Sequence, residues 1–122
     1  MTENLGTVTI APQVLVTIVK TTTEGVPGVV RLLSGPAPAA AKSLGKPTVG
    51  DGVRVWVVND AVEVEVGVVV SREANMRQVG TQIQSEVARA IEHMLGMPVR
   101  QVNVSIRDVA PISGDDDSGG WG

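Results

Sequence analysis

The sequence predicts an α+β fold: a mostly antiparallel sheet of four to five strands with two helices packed on one of its faces. In "VRVWVVNDAVEVEVGVVV", two alternating apolar runs flank Asn59-Asp60. That reads as a hairpin, because Asn and Asp tolerate the positive φ angles of a tight turn. Further on, apolar residues recur every three or four positions, as on one face of a helix. The apolar content is almost wholly Val, Ile, Leu, Ala and Met, with two Trp and neither Phe nor Tyr. Such a mixture is rich in β-branched side chains that suit a pleated surface.

The elements follow in chain order. Alternation in "TVTI" (residues 7–10) predicts a first strand with Val8 and Ile10 on one face. A helix comes next, with Pro12 in its first turn and Gly25 just past its end. Its apolar face is Val14, Leu15, Ile18, Val19 and Thr22. Val14, Val16 and Ile18 also fit strand alternation, and Val, Ile and Thr are mediocre helix formers; the Pro and Gly punctuation decides for a helix. "GVVRLL" (28–33) reads as a short strand. Residues 34–52, "SGPAPAAAKSLGKPTVGDG", predict a loop from their Pro, Gly and Ala content. A loop of that length is unusual in a compact domain and is expected to be either mobile or folded against a partner.

The two-residue turn sets the hairpin register. Val53 faces Val66, Val55 faces Val64 and Val57 faces Val62, with Val55, Val57, Val62 and Val64 buried under helices. On the other face Arg54 opposes Glu65 and Trp56 opposes Glu63. An opposite-charge pair across strands contributes about 0.2–1 kcal/mol. Asn75 with Gln78 resembles a capping box opening the second helix. Its seam is Met76, Val79, Ile83, Val87, Ile91 and Met94. Gly80 within it costs about 1 kcal/mol relative to Ala, which implies close packing against a neighbour. Gly96 and Pro98 end the helix, and "VRQVNVSIRDV" supplies a last strand with Val102, Val104 and Ile106 inward.

The predicted order is β-α-β-β-β-α-β in one domain, residues 1–110. Residues 111–122 form an acidic, Gly-rich tail expected to be disordered. Away from the helices, the sheet would present Arg54, Trp56, Glu63, Glu65, Gln101, Asn103, Ser105 and Arg107, a polar face around one large aromatic. That face, centred on Arg54, Trp56, Glu63 and Glu65, is a candidate association surface, since aromatics and Arg concentrate at interface centres. The competing expectation packs Trp56 beneath residues 34–52.

Composition excludes several function classes. There is no cysteine, so neither a disulfide framework nor a thiolate metal site can form. The longest uncharged apolar run, "VGVVV", is far too short to span a bilayer. The N-terminal stretch lacks the pattern of an export signal, and a soluble, cytoplasmic protein is expected. A net charge of −3 argues against nucleic acid as a main partner.

No constellation points to catalysis, a metal or a cofactor. Glu24, Gly25, Val26, Pro27 and Gly28 could form a backbone-amide nest for an anion. Phosphate loops, however, precede a helix, whose N-terminal amides and dipole then face the ligand. This segment follows one and adds Glu24, so it reads as a turn motif: a helix C-cap leading into a strand, with positive φ at Gly25, Gly28 or both. His93 is the sole histidine and reads as a solvated helix residue, without the spacing of a zinc site. Glu63 and Glu65 lie about 7 Å apart on one strand face and read as surface charges. The aspartates at 115–117 read as part of a solvated tail.

The chain resembles the alkaline shock protein 23 family. The resemblance lies in "GTVTIAPQVL" (6–15), "EGVPGV" (24–29), "VEVEVGVVV" (62–70) and "VARAIEHMLGMPVRQVNVSI" (87–106). Residues 34–52 depart from it, being Pro/Ala-rich where relatives more often carry charged and apolar residues. The resemblance implies a small, non-enzymatic bacterial protein of cell-envelope homeostasis and alkaline or general stress. It implies partners as well: further copies of itself, or a membrane-anchored protein with a related domain. No catalytic residues carry over. The alternative is an RNA- or other nucleic-acid-binding module using the open sheet face. Such modules stack bases on two or three sheet aromatics between basic flanks, whereas this chain offers Trp56 beside glutamates.

Overall fold

A computed structural model describes residues 5–111; residues 112–122 of the expected tail lie outside them. Helix α1 (Pro12–Glu24) leads to strand β1 (Val29–Leu32), a 3-10 helix (Ala39–Leu44) and the short strand β2 (Thr48–Gly50). Strands β3 (Val53–Val58) and β4 (Ala61–Val70) form the hairpin, followed by α2 (Met76–Leu95) and β5 (Val99–Val109).

The hairpin register is the expected one throughout, from Val53 opposite Val66 to Val58 opposite Ala61. Asn59 and Asp60 both take positive φ, 54° and 65°, as a two-residue turn of this hand requires. Beyond β3, β1 continues along the same edge of β4, antiparallel, with Leu32 opposite Val68 and Val29 opposite Val70. The other edge is taken by β5, which runs parallel. Helix α2 makes that possible by carrying the chain back across the sheet in a β-α-β crossover. The sheet is thus antiparallel except for β4–β5, with β2 at the far side of β3.

The expected first strand is absent. Residues 7–10 make no strand, and Val8 is 93% exposed. Alternation needs a neighbouring strand to become a ladder, and none of the five strands pairs with residues 7–10. The expected loop at 34–52 is instead partly ordered into the 3-10 helix and β2.

Leu15, Val16 and Val19 of α1 and Val79, Ile83, Val87 and Ile91 of α2 pack on the valines of β3 and β4. The stripe on α1 is rotated from the expected one: Val16 and Thr23 are buried while Val14 is exposed. Val57, at the hairpin end of β3, is 47% exposed rather than buried. Met76 and Met94 are likewise exposed, although Leu95 in the last turn of α2 packs against the core. Val102 is buried, and Val104 and Ile106 pack partly buried against the same core, as expected.

The turn after α1 works differently at its two glycines. Gly25 has φ −81° and closes the helix in right-handed geometry, its N–H reaching the carbonyls of Thr21 and Thr22. Gly28 carries the positive φ, 99°. A Cβ there would also lie 2.7 Å from Val79 Cγ2 and 3.0 Å from Ala74 Cβ. The segment turns the chain where it meets the start of α2, with Val26 buried beneath it. Lys20 Nζ also reaches Asp51 Oδ2 at 3.1 Å, tying α1 to the β2–β3 turn. That hydrogen bond, and then the charges of Asp51 and Glu24, raise the Lys20 pKa above the ordinary lysine value. The contribution of the Lys20 charge is therefore present at neutral pH and is lost as lysine deprotonates in strongly alkaline solution.

Helix α2 begins with Asn75 Oδ1 accepting the Gln78 N–H at 3.0 Å and ends at Gly96, φ 69°. Gly80 is not packed against a neighbour: a Cβ there would meet nothing within 4 Å. Gly28→Ala is expected to destabilise the fold by about 2 kcal/mol or more through backbone strain and overlap, and Gly25→Ala by under about 0.5 kcal/mol. Two substitutions should stabilise. Gly80→Ala adds helix propensity, and Thr23→Val removes a buried hydroxyl that has no hydrogen-bond partner. About 0.5–1 kcal/mol is expected from each. Urea unfolding of the four variants measures all of these, and a stable Gly28→Ala would contradict the turn geometry.

Candidate interaction face

Strand alternation delivers Arg54, Trp56, Glu63 and Glu65 to the sheet face away from the helices, with Arg54 opposite Glu65 and Trp56 opposite Glu63. The face is not open. Trp56 is 5% exposed, Glu63 7% and Glu65 8%. The chain between β1 and β2 crosses them, so of the two expectations for Trp56 the packed one is observed.

Each buried polar group on this face has a specific partner. The Trp56 indole N–H donates to the Gly45 carbonyl at 3.1 Å, anchoring the end of the 3-10 helix. Arg54 Nη1 meets Glu65 Oε1 at 2.5 Å, while its Nη2 donates to the Gly35 carbonyl. Arg100 Nη1 reaches Glu63 Oε2 at 3.2 Å from β5, with its own side chain mostly in solvent. These contacts follow from desolvation: a carboxylate removed from water needs a cation or several donors.

Sequence reasoning placed Arg107 on this face but missed Gly35, Gly45 and Gly67 as parts of the layer. A Cβ on Gly35 would run into the Arg107 guanidinium, and one on Gly67 into the Leu33 carbonyl. A signal was present: Gly67 interrupts the valines of β4, and a strand glycine marks close approach of another backbone. Between Arg54, Glu65, Ser105 and Arg107 a space of about 20 Å³ remains, room for a single water. A second cleft, about 240 Å³, runs between the 3-10 helix and Trp56, Glu63, Glu65 and Asn103. It is smaller than the roughly 300 Å³ at which ordinary ligand pockets begin.

The other candidates stand apart. Glu24, Gly25, Val26 and Gly28 belong to the turn beside α2, and His93 is exposed in the last turn of that helix. Among the described residues no three or more His, Cys, Asp or Glu side chains cluster to hold a metal ion.

Burial changes what a probe of Trp56 reports, since Trp56→Glu would place a charge under the 3-10 helix and unfold the cover. Trp56→Phe keeps an aromatic ring, smaller than the indole, and loses the bond to Gly45. It is expected to cost about 1 kcal/mol and to speed proteolytic cleavage within residues 39–45. Glu65→Gln strips Arg54 of its counter-charge and is expected to cost about 2 kcal/mol. Urea unfolding with limited proteolysis checks both, and unchanged cleavage in Trp56→Phe would mean that the indole does not hold the cover.

Comparison with known proteins agrees with this architecture. The chain is similar to the uncharacterized protein YqhY of Bacillus subtilis (strain 168), 26% identical over 103 residues, covering 84% of this chain and 76% of that protein. Among solved structures it is similar to a zinc form of the MamM CTD, with TM-score 0.50 and 16% identity over 83% of this chain and 88% of that one. A manganese form of the same domain gives TM-score 0.50 and 15% identity over 80% and 99%. At such identities the likeness is one of fold. The profile of the alkaline shock protein 23 family, described by a cell envelope-related function, matches residues 1–111. The chain belongs to the alkaline shock protein 23 family.

Proposed function

We propose that this protein is a non-catalytic interaction module of the bacterial cell envelope and of alkaline or general stress, working through self-association and protein partners. Its family supports the envelope part. The interaction part rests on groups that another polypeptide would satisfy. Strand β5 pairs only with β4 among the described residues, leaving its outer edge without a strand. The apolar side chains of Leu5, Val8 and Ile10 are also exposed. Among the described residues no helix is long and apolar enough to cross a membrane. The protein would act in the cytoplasm, and membrane proximity would come through an anchored partner with a related domain. The RNA-binding alternative needs an open sheet face with stacking aromatics, and Trp56 lies under the 3-10 helix.

Sedimentation across a concentration series is expected to show species larger than the 12.7 kDa monomer. Affinity purification from the native cell is expected to recover an anchored protein with a related domain. A strictly monomeric protein that recovers no such partner would overturn the reading, and salt-dependent binding of single-stranded RNA would favour the alternative.

A further inference from the structure

The backbone of β5 alternates in a definite phase. Val62 donates its N–H to Pro98 O at 2.9 Å, and Ala110 donates its N–H to Val70 O at 2.8 Å. Val62 and the alternate residues that follow it in β4 therefore turn their peptide groups toward β5. The parallel register sets Val64 against Val102, Val66 against Val104 and Val68 against Ile106. In a parallel ladder the residues flanking each of these then take the hydrogen bonds. Gln101, Asn103, Ser105 and Arg107 thus face β4, while Val102, Val104 and Ile106 direct N–H and C=O outward. Gln84 agrees with this phase: its side-chain amide, reaching down from α2, donates to the outward Val102 carbonyl at 3.1 Å.

The strand is also palindromic. Read outward from Val104, "VRQVNVSIRDV" places apolar residues symmetrically: Val102 and Ile106, then Val99 and Val109. Both register shifts of β5 set two of its residues against one of β4, within Val99–Val102 and within Ile106–Val109, and these intervals are symmetric about the same residue. Arg100 and Asp108 are symmetric too, with opposite charge.

We propose that β5 pairs antiparallel with β5 of a second copy about a two-fold axis at Val104, merging two five-stranded sheets into one. The inference rests on the self-association reading and names its surface. Centred there, Val104 meets Val104, Val102 meets Ile106 and Asn103 meets Ser105 of the second copy. Arg100 then lies opposite Asp108 at both ends. Shifting by two residues in either direction sets Asp108 against Val102 or Arg100 against Ile106, so charge and apolarity together select this register. An isologous contact of this kind closes on itself as a dimer. The bond from exposed Gln84 is exchanged for one from the Ile106 N–H of the second copy.

A register-specific cross-link tests this directly, since the chain has no cysteine of its own. Asn103 and Ser105 of two copies would form a non-hydrogen-bonded pair with Cα atoms about 4.5 Å apart, within disulfide range. Mild oxidation of mixed Asn103→Cys and Ser105→Cys proteins is expected to yield a covalent dimer, and either variant alone little. Val104→Pro removes an outward N–H and spares the bonds to β4. It is expected to weaken association about tenfold or more, with unchanged circular dichroism. Should that variant unfold, Asp108→Arg is expected to weaken association about fivefold. A wild type that associates, with no mixture-specific cross-link and no effect of the edge variants, would overturn the β5 interface while leaving self-association through another surface, such as residues 7–10. A wild type that stays monomeric would overturn both.

Discussion

Strand β4 has to be satisfied in four directions at once. Its backbone meets β5 along one edge and β3, then β1, along the other. Its side chains are buried on both faces from Val62 to Val70. On the helical face that is simple, because Val62, Val64, Val66 and Val68 need only apolar cover. The opposite face carries Glu63 and Glu65, and burying carboxylates is costly unless cations accompany them. Arg54 from β3 and Arg100 from β5 supply those cations.

The cover over that face hangs on the same groups. Arg54 reaches past Glu65 to the Gly35 carbonyl, and Trp56 holds the Gly45 carbonyl, so residues 35–45 are fastened at both ends. Close approach is possible because Gly35 and Gly67 have no side chains where Arg107 and the Leu33 carbonyl pass. Residues 7–10 pair with none of the five strands and stay outside the sheet, with Val8 in solvent.

Features set by local periodicity or local chemistry were legible in the sequence. The hairpin register, the Asn75 and Gly96 caps and the buried seam Val79, Ile83, Val87 and Ile91 need only neighbours a few residues away. What was not legible depends on distant parts of the chain. The exposure of Val57 and Met94 depends on which elements come to lie beside them, and that is absent from any spacing. Gly80 was misread for the same reason: an isolated helix glycine has several causes, and its surroundings here are empty. The candidate face was identified residue by residue, but its cover was not, since a Pro/Ala-rich stretch carries no periodicity to show what it lies on.

That cover shows how a Pro/Ala-rich segment without periodicity can still serve the fold. Its attachments are to main-chain carbonyls, of Gly35 and Gly45, and a carbonyl is present whatever the side chain. The demand falls on the givers, Arg54 and Trp56, and on glycine wherever another group must pass close by. At these two points the bond itself places no demand on the side chain of the residue that accepts it, while Ala41 between them is buried. Specific recognition is therefore poorly served by the cover. It is better served by surfaces where side-chain order matters, and in β5 charge, apolarity and backbone phase all repeat about Val104.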